Sequence, residues 1–392
     1  MDDQDNRVQV VDADGHVVEP DRVWKEYADP AFRDRLDHPG GGVQALGMAR
    51  AYPEAAEQRE RMLAESASDD DGTSASWAAN LRDAESWEEA AREKMARPGG
   101  YDPQARLVDM DEEGIDAAVL YPTSMLTWVE EADLFGAACR AYNTWLHDYC
   151  SAAPDRLFPV AMVPLQDVDA AIAEMRRAVD TLGAKAVMIR PAPYIDGKPL
   201  HDRGYDRFWA AAADLDCPVG VHPSPHADML NSCRLLGLAN GVTDARQGLA
   251  LRQGLTNAID LQMAVAWFVL GGICERHPGL RVAFLEGTGG WMLPMLERFD
   301  HQMKVFGSPD QTMLPSELFA RQCVVSFDPD EVALAFTAEH LGADKVLWAS
   351  DYPHPDAKIP GVVKELREAV DPLPEAARRT VMGGSARAFY RL

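Results

Sequence analysis

Val346-Leu347-Trp348-Ala349-Ser350-Asp351-Tyr352-Pro353-His354 is an apolar, strand-like run that stops on a carboxylate and, three residues later, on a histidine. At the other end of the chain, Val8-Gln9-Val10-Val11 leads into Asp12-Ala13-Asp14-Gly15-His16. Side chains alternate along a strand, so Asp14 and His16, two residues apart, point to one face. A further run closes on Val221-His222-Pro223. The two ends of the chain and its middle thus carry parts of one candidate donor set.

Eight short runs rich in apolar and β-branched residues recur along the sequence, at about 8–14, 117–123, 157–165, 184–191, 217–224, 281–288, 323–329 and 345–353. Their near-continuous hydrophobicity fits parallel strands buried on both faces. Helical periodicity marks 132–153, 167–182, 205–215, 257–277, 290–304 and 329–341 between them. The alternation predicts a single-domain (β/α)8 TIM barrel spanning residues 1–392. Asp14-Gly15-His16, Tyr121-Pro122-Thr123, Arg190-Pro191, His222-Pro223, Glu286-Gly287, Asp328 and Asp351 all fall at strand ends, where a barrel carries its active site. Residues 21–106 are too many for an ordinary βα loop, and with Trp77 and Trp87 they are expected to form a lid or an oligomer contact. A second long connection, 225–256, follows His222 and contains Arg246 and Arg252.

Acidic side chains outnumber basic ones, 63 to 38, and the net charge of −25 argues against nucleic-acid or anionic-membrane partners. Met1-Asp2-Asp3-Gln4-Asp5 lacks the pattern of a signal peptide, and no 18-residue apolar run is apparent, so a cytoplasmic protein is expected. The six cysteines, Cys139, Cys150, Cys217, Cys233, Cys274 and Cys323, form no CxxC pair and read as buried thiols.

Asp14, His16, His222 and Asp351 offer two nitrogen and two oxygen donors, a set that suits zinc, manganese or iron and leaves room for water or substrate. Taken alone, Asp14 and His16 read first as a capping aspartate and a surface histidine at a βα turn. Asp12-Ala13-Asp14-Gly15-His16-Val17-Val18-Glu19, Val221-His222-Pro223, Leu285-Glu286-Gly287-Thr288-Gly289-Gly290-Trp291 and Ala349-Ser350-Asp351-Tyr352-Pro353-His354 together resemble the amidohydrolase superfamily, in the branch of aminocarboxymuconate semialdehyde and resorcylate decarboxylases. The resemblance implies a (β/α)8 fold and a divalent metal held from strands one, five and eight, which match Asp14 and His16, His222, and Asp351. Two positions depart from that pattern. Asp14 stands where many relatives have the first histidine of His-x-His, and Glu286 stands where many have a histidine after strand six. A carboxylate there cannot donate a hydrogen bond as a neutral imidazole does.

Glu286 therefore carries several readings: it contacts a metal-bound water, ligates the metal, holds a second metal with Glu19 and His201, or pairs with Arg190. Glu19, before Pro20, also reads as the start of the insertion, and His201 as a residue at a helix start. Asp351 is the expected general base or acid, with His354 orienting it or touching substrate. Arg190, Arg246 and Arg252 are candidates for a substrate carboxylate, and Trp291 and Tyr121 for an apolar wall. Zinc is the first expectation for the metal, with iron or manganese, one or two per chain, as the alternative. The leading expectation is a metal-dependent hydrolase or non-oxidative decarboxylase of a small carbonyl- or carboxylate-containing molecule. The others are an iron- or manganese-dependent oxygenase on the same fold and a catalytically inactive metal-binding subunit. A homo-oligomer is expected, or a hetero-oligomer if the chain serves as a subunit.

Overall fold

The computed structural model describes residues 8–36, 93–126, 129–224, 250–307 and 309–392. Eight strands follow one another around a single sheet: β1 (Val11–His16), β2 (Ala117–Tyr121), β3 (Leu157–Met162), β4 (Ala186–Ile189), β5 (Val219–Val221), β6 (Val282–Phe284), β7 (Cys323–Phe327) and β8 (Val346–Trp348). Each pairs in parallel with the next. Every residue of these strands is buried, as a sheet walled by helices requires. The helices preceding β2 to β8 and following β8 are α1 (Pro103–Glu113), α2 (Ala132–Cys150), α3 (Val168–Leu182), α4 (Asp206–Asp214), α5 (Ala258–Val269), α6 (Met292–Phe306), α7 (Ala333–Leu341) and α8 (Val362–Val370). The (β/α)8 expectation holds, with every strand found inside or beside its anticipated run.

Helix boundaries follow local chemistry. Asp102 accepts the amide of Gln104 and Pro103 opens α1, while Gly114, in the left-handed region, closes it. Asp167 and Gly183 do the same for α3. A π-helical turn, Arg252–Asn257, leads into α5. The segment Gln253–Arg276 is long and apolar enough to cross a membrane, contrary to the reading that the chain has no such run, yet half of that window is buried inside the molecule. It is a wall helix of the barrel.

The barrel closes between β1 and β8. His16 N donates to Tyr352 O (2.7 Å) and Asp351 N to Asp14 O (3.3 Å). Asp12 reinforces the seam by accepting the amide (3.0 Å) and hydroxyl (2.6 Å) of Ser350. Arg106 of α1 stands beside Asp12 and donates to His16 O (2.9 Å). The chain's last helix plugs the N-terminal end of the barrel: Tyr390 and Tyr121 share a hydroxyl–hydroxyl bond of 2.9 Å, and Arg281, just before β6, donates to Phe389 O.

Of the long connection after β1, the flanks are described. Its first helices, Arg22–Glu26 and Arg33–Leu36, lie near α2, where Tyr27 donates to Asp148 (2.9 Å). Its end returns to the β8 loop, where Lys94 donates to Pro355 O (3.0 Å) and Ala357 O (2.6 Å). Trp77 and Trp87, most of 225–256 including Arg246, and Cys233 lie outside the described residues. The other five cysteines are buried free thiols, as the sequence suggested.

Candidate metal centre

Two histidines enter the barrel with their tautomers already set. His16 at the end of β1 points Nδ1 at Pro122 O (2.8 Å), and His222 after β5 points Nδ1 at Pro223 O (2.7 Å). A carbonyl only accepts, so each Nδ1 carries the proton and each Nε2 presents a lone pair to the interior. Asp14 lies between them: its Oδ1 is 3.7 Å from His16 Nε2 and its Oδ2 is 3.8 Å from His222 Nε2. Asp351 Oδ1 is 3.3 Å from His16 Nε2, and Glu286 Oε2 is 2.7 Å from His222 Nε2. Ligands on one ion, at bonds of about 2.0–2.2 Å, stand roughly 3–4 Å apart.

These atoms are sealed and unsatisfied. Asp14 Oδ1, His16 Nε2, His222 Nε2, Glu286 Oε2 and Asp351 Oδ1 are all buried without a hydrogen bond; the 2.7 Å contact of Glu286 with His222 is close but out of line for one. Buried polar atoms are normally paired; the donor atoms of Asp14, His16 and His222 lie within 4.8 Å of one another, as do those of His16, Asp351 and His354, and a cation would satisfy such a cluster of orphans. Asp14, His16 and His222 are entirely buried, whereas the side chains of Asp351 and Glu286 keep 15% and 18% exposure, so solvent and substrate approach from their side.

The charge balance agrees with the geometry. Burial pushes the Asp14 carboxyl up to about 8, against the nearby His222. For His222, burial opposes protonation, but Glu286 and then Asp14 outweigh it and lift the ring to about 9. Burial, followed by the Asp356 and Glu286 carboxylates, raises Asp351 well above the usual range. His16, buried among other rings, falls well below its ordinary value. Such crowded carboxylates recruit protons where a divalent cation is the natural counter-charge.

The backbone adopts costly geometry where the acids are presented. Glu286 (φ 51°) and Asp351 (φ 54°) both sit in the left-handed region, which disfavours residues with a Cβ by about 1–2 kcal/mol. Behind Glu286 the glycines serve close packing. A Cβ on Gly287 would stand 2.4 Å from Leu261, and one on Gly289 would collide with the Phe327 ring.

His354 stacks on His16, with ring centroids 4.0 Å apart. Its Nδ1 is 2.7 Å from Asp351 Oδ1 and its Nε2 is hydrogen-bonded to Thr123 Oγ1 (2.9 Å). Arg190 is fully buried beyond β4, its guanidinium carbon 4.9 Å from the centroid of the Phe135 ring and 5.7 Å from that of Tyr194. Tyr121 lies beneath the histidines with its hydroxyl turned to Tyr390, so it floors the centre rather than walling it from the open side. Trp291 caps α6, its indole N–H donating to Gly287 O (2.7 Å).

Two expected donors are not brought to the cluster. Glu19 is buried elsewhere, its oxygens taken by the amides of Thr123 (3.3 Å), Ser124 (2.8 Å) and Met125 (3.2 Å). His201 packs against Gly271 after α5, and its carbonyl accepts from Arg276 (3.1 Å). Sequence adjacency to strand ends does not distinguish a carboxylate aimed at a metal from one aimed at amides. Two residues at the centre carry no mark in the sequence, Asn257, whose Nδ2 donates to Glu286 Oε1 (3.1 Å), and Asp356 beside Asp351; Thr123 is marked only as part of a strand end. Asn257 ends the π-helical turn after a long connection, where no pattern singles it out.

A family model described as amidohydrolase matches residues 11–392. The γ-resorcylate decarboxylase of Rhodococcus jostii (strain RHA1) is 32% identical over 289 residues, covering 65% of this chain and 82% of that protein. The 2-amino-3-carboxymuconate-6-semialdehyde decarboxylase of Dictyostelium discoideum is 25% identical over 300 residues, covering 74% and 77%. Among solved structures, an amidohydrolase from Mycobacterium avium subsp. paratuberculosis K-10 superposes with a TM-score of 0.71 at 21% identity, over 98% of this chain and 99% of that one. A dihydroxybenzoic acid decarboxylase from Polaromonas sp. JS666, with bound manganese and the inhibitor 2-nitroresorcinol, gives a TM-score of 0.61 at 20% identity, over 79% and 90%.

Proposed function

This chain belongs to the amidohydrolase family, and on that premise we propose that it is a metal-dependent, non-oxidative decarboxylase of a small aromatic carboxylate. The observation that supports the metal is the cluster of buried donor atoms on Asp14, His16 and His222, with the unsatisfied oxygens of Asp351 and Glu286 beside it. Decarboxylation is favoured over hydrolysis, oxygenation or a silent subunit because the named relatives include three decarboxylases, and an aromatic substrate because two of these act on dihydroxybenzoic acids. Asp14, His16, His222 and Asp351 would hold the ion, with Glu286 beside His222 as a further donor. Zinc suits the nitrogen-bearing set, but the manganese of the Polaromonas enzyme and the three carboxylates here favour manganese. When bound, such a cation supplies Lewis acidity that anchors a carboxylate and an adjacent oxygen and stabilises developing negative charge.

The chain's own groups supply the proton. Asp351, raised by burial and then by Asp356, lies at the open side of the centre, where a proton shuttle is needed. It would deliver that proton to the ring carbon bearing the carboxylate. The carbon–carbon bond then breaks, its electron pair restores the aromatic ring, and carbon dioxide leaves. With the ion bound, His16 and His222 would be neutral, and their carbonyl partners hold them in place. Arg190, at the end of β4, is the side chain we assign to a second anionic group of the substrate. The 21–106 insertion is read as a lid or a contact between copies; native mass measurement of the intact chain and of one lacking 37–92 distinguishes the two.

The test is carbon dioxide release from a panel of hydroxylated benzoates by protein loaded with manganese or zinc. Asp351→Asn should lower turnover by about 10²–10⁴-fold while keeping the fold. Wild-type turnover in that variant sinks the assignment of Asp351. Hydrolysis of amides or lactones, with no carbon dioxide from any acid, would replace decarboxylation by hydrolysis.

A further inference from the structure

One short loop touches both histidines that flank Asp351. After β2, Pro122 offers its carbonyl to His16 Nδ1 (2.8 Å) and Thr123 its hydroxyl to His354 Nε2 (2.9 Å). The loop is itself pinned. Glu19, buried and 1% exposed, receives the amides of Thr123, Ser124 and Met125, so this carboxylate fixes the backbone that carries the hydroxyl. Across the ring, His354 Nδ1 is 2.7 Å from Asp351 Oδ1.

We propose that Thr123 is a positioning residue for Asp351, acting through His354, and that Glu19 serves this centre by holding Thr123 in place. A neutral imidazole bears one proton, on one nitrogen or the other. When the Thr123 hydroxyl donates to Nε2, that proton is confined to Nδ1, which stands 2.7 Å from Asp351 Oδ1, out of line for a hydrogen bond but close enough for its positive end to attract the carboxylate. With the tautomer reversed, two lone pairs would face each other at 2.7 Å and the Asp351 carboxylate would be driven from its place. His354 is also clamped face-on by His16 at 4.0 Å, so the ring cannot rotate away to relieve that repulsion. The same turn, residues 122–125, therefore sets the orientation of His16 through a carbonyl and the tautomer of His354 through a hydroxyl. Its consequence for turnover rests on the decarboxylase reading; the tautomer does not.

Two readouts test it. The first is the side-chain ¹⁵N spectrum of histidine-labelled, metal-free protein, with His354→Asn used to assign the signal. Wild type should show His354 protonated on Nδ1. Thr123→Val, which keeps the side chain's shape and removes the hydroxyl, should release the ring to a tautomer mixture, and Thr123→Ser should restore it. Glu19→Gln should give a smaller drift in the same direction with metal per chain unchanged, which separates support of the turn from metal ligation. The second readout is kinetic: Thr123→Val should lower kcat by about tenfold with KM within about twofold, and Thr123→Ser should recover it. A proton found on Nε2 in wild type, or a tautomer indifferent to Thr123→Val, overturns the proposal. Should the tautomer behave as stated while no benzoate is decarboxylated by wild type, the reading of the reaction fails and the positioning role of Thr123 stands.

Discussion

Asp12 and Asp14 lie two residues apart on one strand, both sealed from solvent, and strict alternation would send them to the same face. They end on opposite sides of the barrel wall. Between Asp12 and Gly15 the pairing of β1 with β2 slips by one residue, a bulge that re-aims the side chains beyond it. Asp12 meets Arg106 of α1 and Ser350 of the seam, accepting the Ser350 amide and hydroxyl and the Asp14 amide. Asp14 turns inward to two lone-pair-bearing imidazoles, and its Oδ1 finds no hydrogen bond. Burial raises both carboxyls; Arg106 and Ser350 oppose the rise at Asp12, whereas at Asp14 His222 opposes it and Glu286 and Asp12 itself add to it. The lesson is that burial alone does not mark a functional acid. A carboxylate whose lone pairs are met holds the fold, and one whose lone pairs are left open awaits a cation.

The largest expected effect breaks the structural member of the pair. Asp12→Ala strands Arg106 and opens the seam, so unfolding free energy should drop by about 3–5 kcal/mol, read from denaturant midpoints, while metal per folded chain stays the same. Loss of metal without loss of stability would reverse the assignment. Next comes the functional member. Asp14→Asn should weaken metal binding by about 100-fold, about 2.7 kcal/mol, in calorimetric titration, yet leave the metal-free barrel as stable as wild type or more so, because a crowded charge has gone. A metal affinity unchanged in Asp14→Asn would remove it from the ligand set.

The barrel itself was legible because its strands are short, apolar and separated by helical periodicity, a signal that survives without knowledge of contacts. Residues 14, 16, 222, 286 and 351 were legible as donors for the same reason: each stands at or just beyond the end of a strand. What failed to read out was direction. Glu19 stands three residues beyond His16, as well placed in sequence as any ligand, but the turn at Thr123–Met125 offers it three amides that no local pattern announces. His201 follows β4 at a distance that carries it out to α5. The bulge that separates Asp12 from Asp14 leaves no compositional trace either, since a slip in register is a property of the pair of strands. Helices after β8 and the helix Pro315–Gln322 before β7 went unread among the expected elements because they carry no site.

The smallest effect sharpens the comparison through pH, where two slopes should run in opposite directions. In the metal-free protein Asp14 is raised from 3.8 to about 8 and His222 from 6.5 to about 9. Both groups then hold protons in the folded state that the unfolded chain has released, so folding binds protons in this window. Stability of the metal-free barrel is therefore present in full at low pH as far as these two groups decide it, and is lost as pH rises through about 8 to 9. A cation must displace at least one of those protons, whichever of the coupled pair carries it, so apparent metal affinity should rise by about tenfold per pH unit between about 6 and 8, about 1.4 kcal/mol per unit. Asp14→Asn should flatten both slopes, whereas Asp12→Asn should leave the metal-affinity slope as it is. Calorimetry in buffers of different ionisation enthalpy counts the released protons directly, and a count of zero at pH 7 would mean that Asp14 and His222 do not face the ion together.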